Sequence, residues 1–586
     1  DPELSYITFD ELAEIFREQA SGLLEGGVDL LLIETSQDIL EVKAAVRGCQ
    51  LAFADTGISV PIQTQVTLDT TGRMLLGTDI SAVLAILENI GVDVIGLNCS
   101  TGPDFMREPI RYLGENSSLP VSCIPNAGLP LNVDGQAVYP MTAEPFAAEL
   151  AEFVQKYHIN IVGGCCGTTP EHIRLLAEKV RGTSVQPRPE NKTSRLASAV
   201  QAQPMVQEPA PFLIGERLNT QGSSKFKQLI LAEDFDSAVE IARSQVDAGA
   251  HGLDLCTALT ERADEAVLMQ RLIKALAPVV KVPFIIDTTE PDVLEVALKT
   301  APGRCLVNSI NLEAGRAKAD RVLHLAGTYN AAVIALTIDE QGMAKTAARK
   351  LEVARRIYEI AVNEHGLNAH DLVYDALTFT LATGDPEFHA SALETIEGIR
   401  LIKQSLPGVL TSLGVSNVSF GLAPNARAVI NSVMLYHCVA AGLDMAIVNP
   451  AQIRPYAEIS AQERELAEDL ILNRRADALQ RLIEYFSANS GGPARADTRL
   501  EQLNAMSSAE RLHYRILHRL KDGVEGDIDS LIAAAPAEVN RNDAAVNILN
   551  SVLLPAMKEV GDKFGSGELI LPFVLQSAEV MKKAVA

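Results

Sequence analysis

The sequence predicts an α/β chain in three parts: a (β/α)8 barrel lacking its first units, a complete (β/α)8 barrel, and an all-α helical bundle. Three observations carry this. Short apolar runs bounded by Gly, Pro or Asn alternate with amphipathic helical patterns over residues 1–185, and the alternation restarts over residues 211–460. Eight apolar runs in the second stretch match a whole barrel, which needs about 250 residues, whereas the first stretch holds five. Beyond residue 460 the strand signals stop and only helical patterns remain.

In the first stretch the strand candidates are Val28–Glu34, Val60–Thr67, Val92–Cys99, Pro120–Asn126 and Ile159–Cys165. Helical patterns cover Phe9–Glu25, the run after Asp38, Asp79–Gly91, Phe146–Lys156 and Pro170–Arg181. Five strands suit an open sheet or a barrel without its first three βα units, and the start at Asp1 without Met favours the second. Residues 186–210, rich in Pro, Ser, Gln and Ala, read as a linker. The second barrel is expected to use Phe212–Glu216, Gly252–Leu255, Phe284–Asp287, Leu306–Ser309, Ala332–Thr337, Leu372–Asp375, Thr411–Val415 and Met445–Val448. A helical linker over 461–495 and a bundle over 496–586 follow, and the C-terminus also reads as a cut.

Composition narrows the function. A chain of 586 residues exceeds the roughly 250–300 that one core supports. No run offers the roughly 18 uncharged apolar residues of a membrane span, and the N-terminus lacks a secretory signal. With 50 Lys and Arg against 75 Asp and Glu, the net charge of -25 would repel a phosphate backbone, so neither nucleic acid nor membrane is an expected partner. Eight Cys, two of them adjacent, suit metal or thiolate chemistry in a reducing cytoplasm better than a disulfide scaffold.

The strongest motif joins Gly96-Leu97-Asn98-Cys99 to Gly163-Gly164-Cys165-Cys166-Gly167. Cys99, Cys165 and Cys166 end apolar strands, and three thiolates can hold Zn2+ with a fourth position open, the layout of a catalytic site. A substrate thiol bound there would be held as thiolate, ready to attack a methyl donor. Cys49, Cys123, Cys256, Cys305 and Cys438 read as small core residues. In the second barrel Glu216, Asn219, Asp254, Asp287, Asn308, Asp375 and Asn417 fall at or just past strand ends. Carboxylates and amides converging there suit a pterin edge with its mixed donors and acceptors.

These residues resemble the cobalamin-dependent methionine synthase family. The resemblance covers nearly all of this chain, which in turn covers the middle of the family protein. It implies that Cys165 closes strand eight, that Cys99 ends strand six, that Glu34 takes the homocysteine amino group, and that Asn98 also belongs to the homocysteine site. The second barrel resembles the pterin-binding fold shared with dihydropteroate synthase, with Asp287, Asn308 and Asp375 on the pterin and Asn417 near N5. Asn417 and Asp375 are then the candidate catalytic residues. The terminal helices look like the family's cobalamin cap, with Phe564, Leu571 and Val574 as apolar cover. The implied cofactors are Zn2+ and methylcobalamin. The implied partners are homocysteine, 5-methyltetrahydrofolate, cobalamin and, in the intact enzyme, a reductive reactivation partner. None of the ten His lies in the D-x-H-x-x-G pattern that supplies the family's lower cobalt ligand. Two rivals remain: a zinc thiol methyltransferase using betaine or S-methylmethionine, and a partial or non-catalytic subunit that binds folate and docks a separate corrinoid protein.

Overall fold

The computed structural model describes residues 7–184, 186–190, 194–488, 503, 506–536, 540–565, 569 and 571–585. The chain enters through the helix Phe9–Glu25. A capping box starts it: Glu11 N–H donates to Thr8 Oγ1 at 3.2 Å, and Thr8 N–H donates to Glu11 Oε2 at 2.9 Å. The strands β1 (Leu31–Ser36), β2 (Ile62–Val66), β3 (Val94–Asn98) and β4 (Val121–Ile124) follow, with helices between them. Then come the exposed hairpin β5 (Leu131–Val133) and β6 (Gln136–Val138), and a final short strand β7 (Ile161–Val162). The sheet is parallel, in the order β1-β2-β3-β4-β7, and open at both edges.

Four of the five strands lie inside the expected apolar runs and are shorter than them, whereas β1 starts three residues late and runs to Ser36, two residues past Glu34. The last strand is reduced to two residues, and beyond it Gly163 N–H still donates to Cys123 O at 3.3 Å. One helix, Pro103–Asn116, went unread because Pro109 and a polar composition break its periodicity.

Residues 194–206 are more than a connection. They form the antiparallel hairpin β8 (Arg195–Ala197) and β9 (Ala202–Pro204), which presses Leu196 and Met205 against Phe212, Ile285, Leu306 and Met445 at the base of the second barrel. Arg304 carries the hairpin further, donating to Arg195 O at 2.8 Å and pairing with Asp371 at 2.7 Å; both partners of this ion pair are almost wholly buried. Two apolar side chains anchor the hairpin in the barrel floor and the small Ala197 packs into the core of the first sheet unit, so composition there reads as loop.

The second barrel is built of β10 (Phe212–Asn219), β11 (Gly252–Cys256), β12 (Phe284–Asp287), β13 (Leu306–Ile310), β14 (Ala332–Leu336), then, past a small hairpin of β15 (Ile338–Asp339) and β16 (Gly342–Met343), β17 (Leu372–Asp375), β18 (Leu410–Ser412) and β19 (Met445–Val448). All eight barrel strands pair in parallel from β18 round to β19. The barrel closes where Ile447 N–H donates to Leu413 O at 2.9 Å. Its lower interior is apolar, so the polar residues at the C-terminal ends of the strands stand over a packed floor.

The helices Ala461–Ile471 and Ala478–Ala488 extend the core on the barrel's outer side, since Leu466, Ile471, Leu482 and Phe486 share one cluster with barrel residues. The last described helices are Ser508–Leu517, Val524–Ala533, the run from Arg541 to Gly565 with a π turn at Leu549–Leu553, and Leu571–Val585. They pack through Leu512, Ile516, Val560, Phe573 and Val580. Asp527, buried, ties them by accepting from Arg511 Nε and Arg515 Nε, each at 2.7 Å.

Candidate functional site

Two polar centres stand at strand ends. In the first, Cys99 follows β3 and Cys165 and Cys166 follow β7. Cys99 and Ser100 hold left-handed φ of 60° and 63°, which swings the thiol out of the strand line. Cys99 N–H still donates to Ile124 O at 3.1 Å, and Cys165 N–H to Pro125 O at 2.8 Å, so both turns are pinned to the end of β4. Asn126 Oδ1 accepts from Cys166 N–H at 3.1 Å. Gly167 carries φ of 77°, and a methyl group there would lie 2.2 Å from the Tyr139 ring, so only glycine fits.

The result is three sulfurs within 4.8 Å of one another, with Cys99 to Cys166 at 3.8 Å and Cys165 to Cys166 at 3.9 Å. Tetrahedral thiolates at a Zn–S length of about 2.3 Å would stand about 3.8 Å apart, so the donor set fits zinc. Burial and the neighbouring thiols push Cys165 up to about 12, so these groups would not share the space as thiolates without a cation. Asn98, buried, accepts from Thr35 N–H at 2.9 Å and donates to Glu34 Oε2 at 3.5 Å. Glu34 itself is exposed on the open face. The other five cysteines are buried.

In the second centre the expected residues converge on one cavity of about 740 Å³, lined by Glu216, Asn219, Asp254, Asp287, Asn308, Asp375 and Asn417. Asn219 Nδ2 donates to Asp254 Oδ2 at 2.8 Å and to Asp287 Oδ2 at 2.7 Å, and Asn308 Nδ2 donates to Asp254 Oδ1 at 3.3 Å. Burial raises Asp254 to about 6, and burial together with the Asp254 charge raises Asp287 well above the usual carboxylate range. Across the cavity Asp375 accepts from Leu377 N–H at 2.7 Å and Gly414 N–H at 3.3 Å, and burial raises it to about 6. The Asn417 amide lies against Gly414, where a methyl group would meet its Nδ2 at 2.9 Å. Burial also raises Glu216, whose Oε1 accepts from Ser416 Oγ at 3.0 Å.

The sequence reading missed Ser416, Arg427 and Phe420, which also line the cavity. Phe420 is 69% exposed at the rim, an aromatic in a Gly-bounded turn that loop composition alone would have flagged.

Of the expected cap residues, Phe564 is half-buried near the end of its helix, and Val574 is half-buried against the bundle core. The side chain of Leu571 lies outside the described residues.

Models of three families match the chain: homocysteine S-methyltransferase over residues 1–180, pterin binding enzyme over 215–449, and B12 binding domain over 508–586. Two curated relatives, methionine synthases from Mycobacterium leprae (strain TN) and Mycobacterium tuberculosis (strain ATCC 25618 / H37Rv), are each 42% identical to it, over 596 and 594 residues. Both alignments take in 100% of this chain. Over its whole length the chain is similar to these two methionine synthases. It spans about half the length, 49%, of these methionine synthases. A solved dihydropteroate synthase from Xanthomonas albilineans aligns with 44% of the chain and 94% of its own at 17% identity, with a TM-score of 0.32. The methionine synthase likeness runs through both strand-end centres and the helical bundle alike.

Proposed function

We propose that this chain is the part of a methionine synthase that binds the methyl donor and activates the acceptor. On this reading 5-methyltetrahydrofolate sits in the second barrel, homocysteine at the three cysteines, and cobalamin beneath the helical bundle, giving methionine and tetrahydrofolate. One observation carries it: a three-sulfur cluster at zinc spacing and a complete barrel cavity ringed by acids and amides occur in one chain.

Cys99, Cys165 and Cys166 would hold zinc, which supplies the positive charge that keeps a fourth, substrate sulfur deprotonated. Glu34, steadied by Asn98, offers a carboxylate to the homocysteine ammonium. Asp287, Asn308 and Asp375 face the donor and acceptor edge of the pterin, while Asn417 can hydrogen-bond N5 and ease loss of its methyl group. Phe564, Leu571 and Val574 would give the carrier a dry apolar cover; cobalamin supplies the methyl relay between the centres. Eight free cysteines support a reducing, cytoplasmic setting. Reactivation of the carrier would fall to a reductive partner.

The test is zinc stoichiometry together with methyl transfer from methyltetrahydrofolate to free cobalamin. Both are expected. A chain showing neither would be a docking subunit.

A further inference from the structure

Behind Asp375 the second barrel buries a lysine. Lys350 lies on the helix Ala347–Tyr358 and is 0% exposed, sharing its face with Ala347, Val353, Ala354 and Ile357. An ammonium buried without partners would be severely penalised. Its Nζ instead donates to Ala344 O at 2.9 Å, Ala376 O at 2.5 Å and Leu377 O at 3.2 Å, which matches its three N–H groups to three main-chain acceptors.

Two of those carbonyls belong to the residues directly after Asp375. Leu377 holds a left-handed φ of 56°, and its N–H returns to Asp375 Oδ1 at 2.7 Å. Thr395 Oγ1 adds a second bond to Leu377 O at 2.7 Å. The stem of Lys350 runs against Gly398, where a methyl group would lie 2.7 Å from its Cδ. A well-packed apolar side chain would serve stability at least as well as a buried charge, so the charge calls for a purpose other than packing.

We infer that Lys350 is a positioning residue for the second-barrel site, tying the turn from Asp375 to Leu377 so that the Asp375 carboxylate keeps a fixed place in the cavity. The inference rests on the folate reading above. The charged and titratable groups around the pair are few: Glu394, on the helix Ser391–Ser405, and Asp375 face Lys350, and Cys438, on the helix Pro424–Ala441, faces Asp375. Burial pulls the Lys350 ammonium down to about 8 while the two carboxylates support it, and Lys350 in turn favours the ionised form of Asp375.

The test is a double-mutant cycle on the whole chain, read as the dissociation constant for methyltetrahydrofolate. Lys350→Met should weaken binding on the order of tenfold in the native background and have no further effect in the Asp375→Ala background. A purely structural lysine would cost the same in both. Gly398→Ala, which drives a methyl group into the Lys350 stem, is measured in parallel and should show the same dependence on Asp375 should Lys350→Met fail to fold. Unchanged affinity, or equal losses in the two backgrounds, overturns the inference. If Asp375→Ala weakens binding and neither second variant does, the folate reading stands and the role of Lys350 falls. If the native chain does not bind methyltetrahydrofolate, the folate reading falls and takes the inference with it.

Discussion

Cys165 is the residue on which the first centre turns, because it stands between the strand end and the second thiol. Cys165→Ser should abolish zinc retention by elemental analysis, whereas Cys49→Ser and Cys123→Ser, in buried positions away from the cluster, should keep a full equivalent. Full zinc in the Cys165 variant would rule out these ligands. In the second centre, Asp287→Ala or Asn308→Ala should cost about 1 to 3 kcal/mol of folate affinity, read by calorimetry, and unchanged affinity in both would dismiss the pterin assignment. The raised acids also fix the sign of the pH dependence. Asp254 and Asp375 titrate at about 6 in the folded chain against about 4 unfolded, so ionising them costs the empty barrel stability as pH rises through that window. A pterin edge that donates hydrogen bonds prefers the carboxylates, so its affinity should fall as pH drops below about 6, with protons released on binding near that pH. An affinity flat from pH 7 to 5 would contradict this. The three cysteines and the cavity acids were legible because each falls at or just past the end of an apolar run. Lys350 was not singled out from the sequence, yet it sits three residues from Ala347 and seven from Ile357, on the apolar stripe of its helix, and that spacing was the available signal.

At the level of elements, the strands of both sheets are legible because a buried parallel strand is a continuous apolar run with a breaker at each end. Their lengths are not, since how far a strand runs is set by its pairing with its neighbour, as at the two-residue strand Ile161–Val162. The hairpin β8–β9 shows the opposite case, a segment whose composition says linker and whose two apolar side chains close a barrel. Leu196 is wholly buried in that floor. Leu196→Ala should therefore destabilise the barrel by about 2 to 5 kcal/mol, seen as a lower denaturant midpoint, whereas a change in a true linker would stay within about 0.5 kcal/mol. A midpoint indistinguishable from native would return residues 194–206 to the status of a tether.

Across the whole molecule, the first sheet unit and the barrel share one interior. Phe9, Ala13, Leu40 and Ala44 from the entering helices belong to the same buried cluster as Leu272, Leu294 and Val322 of the barrel helices. Lys43, buried, reaches across and donates to Leu298 O at 3.3 Å and Ala301 O at 2.7 Å, where the helix Pro291–Thr300 leaves its last carbonyls without partners. In return Asn330 Nδ2 donates to Ala85 O at 3.1 Å and Ile86 O at 2.9 Å. Neither unit can open without exposing apolar surface of the other, so their unfolding should be one cooperative event. Scanning calorimetry should give a single transition for the two, with a van't Hoff enthalpy near the calorimetric one. Lys43→Met, which strands buried carbonyls at the seam, should lower that transition and begin to divide it. Two resolved transitions in the native chain, unmoved by Lys43→Met, would mean that the seam transmits nothing and that each centre is held by its own unit alone.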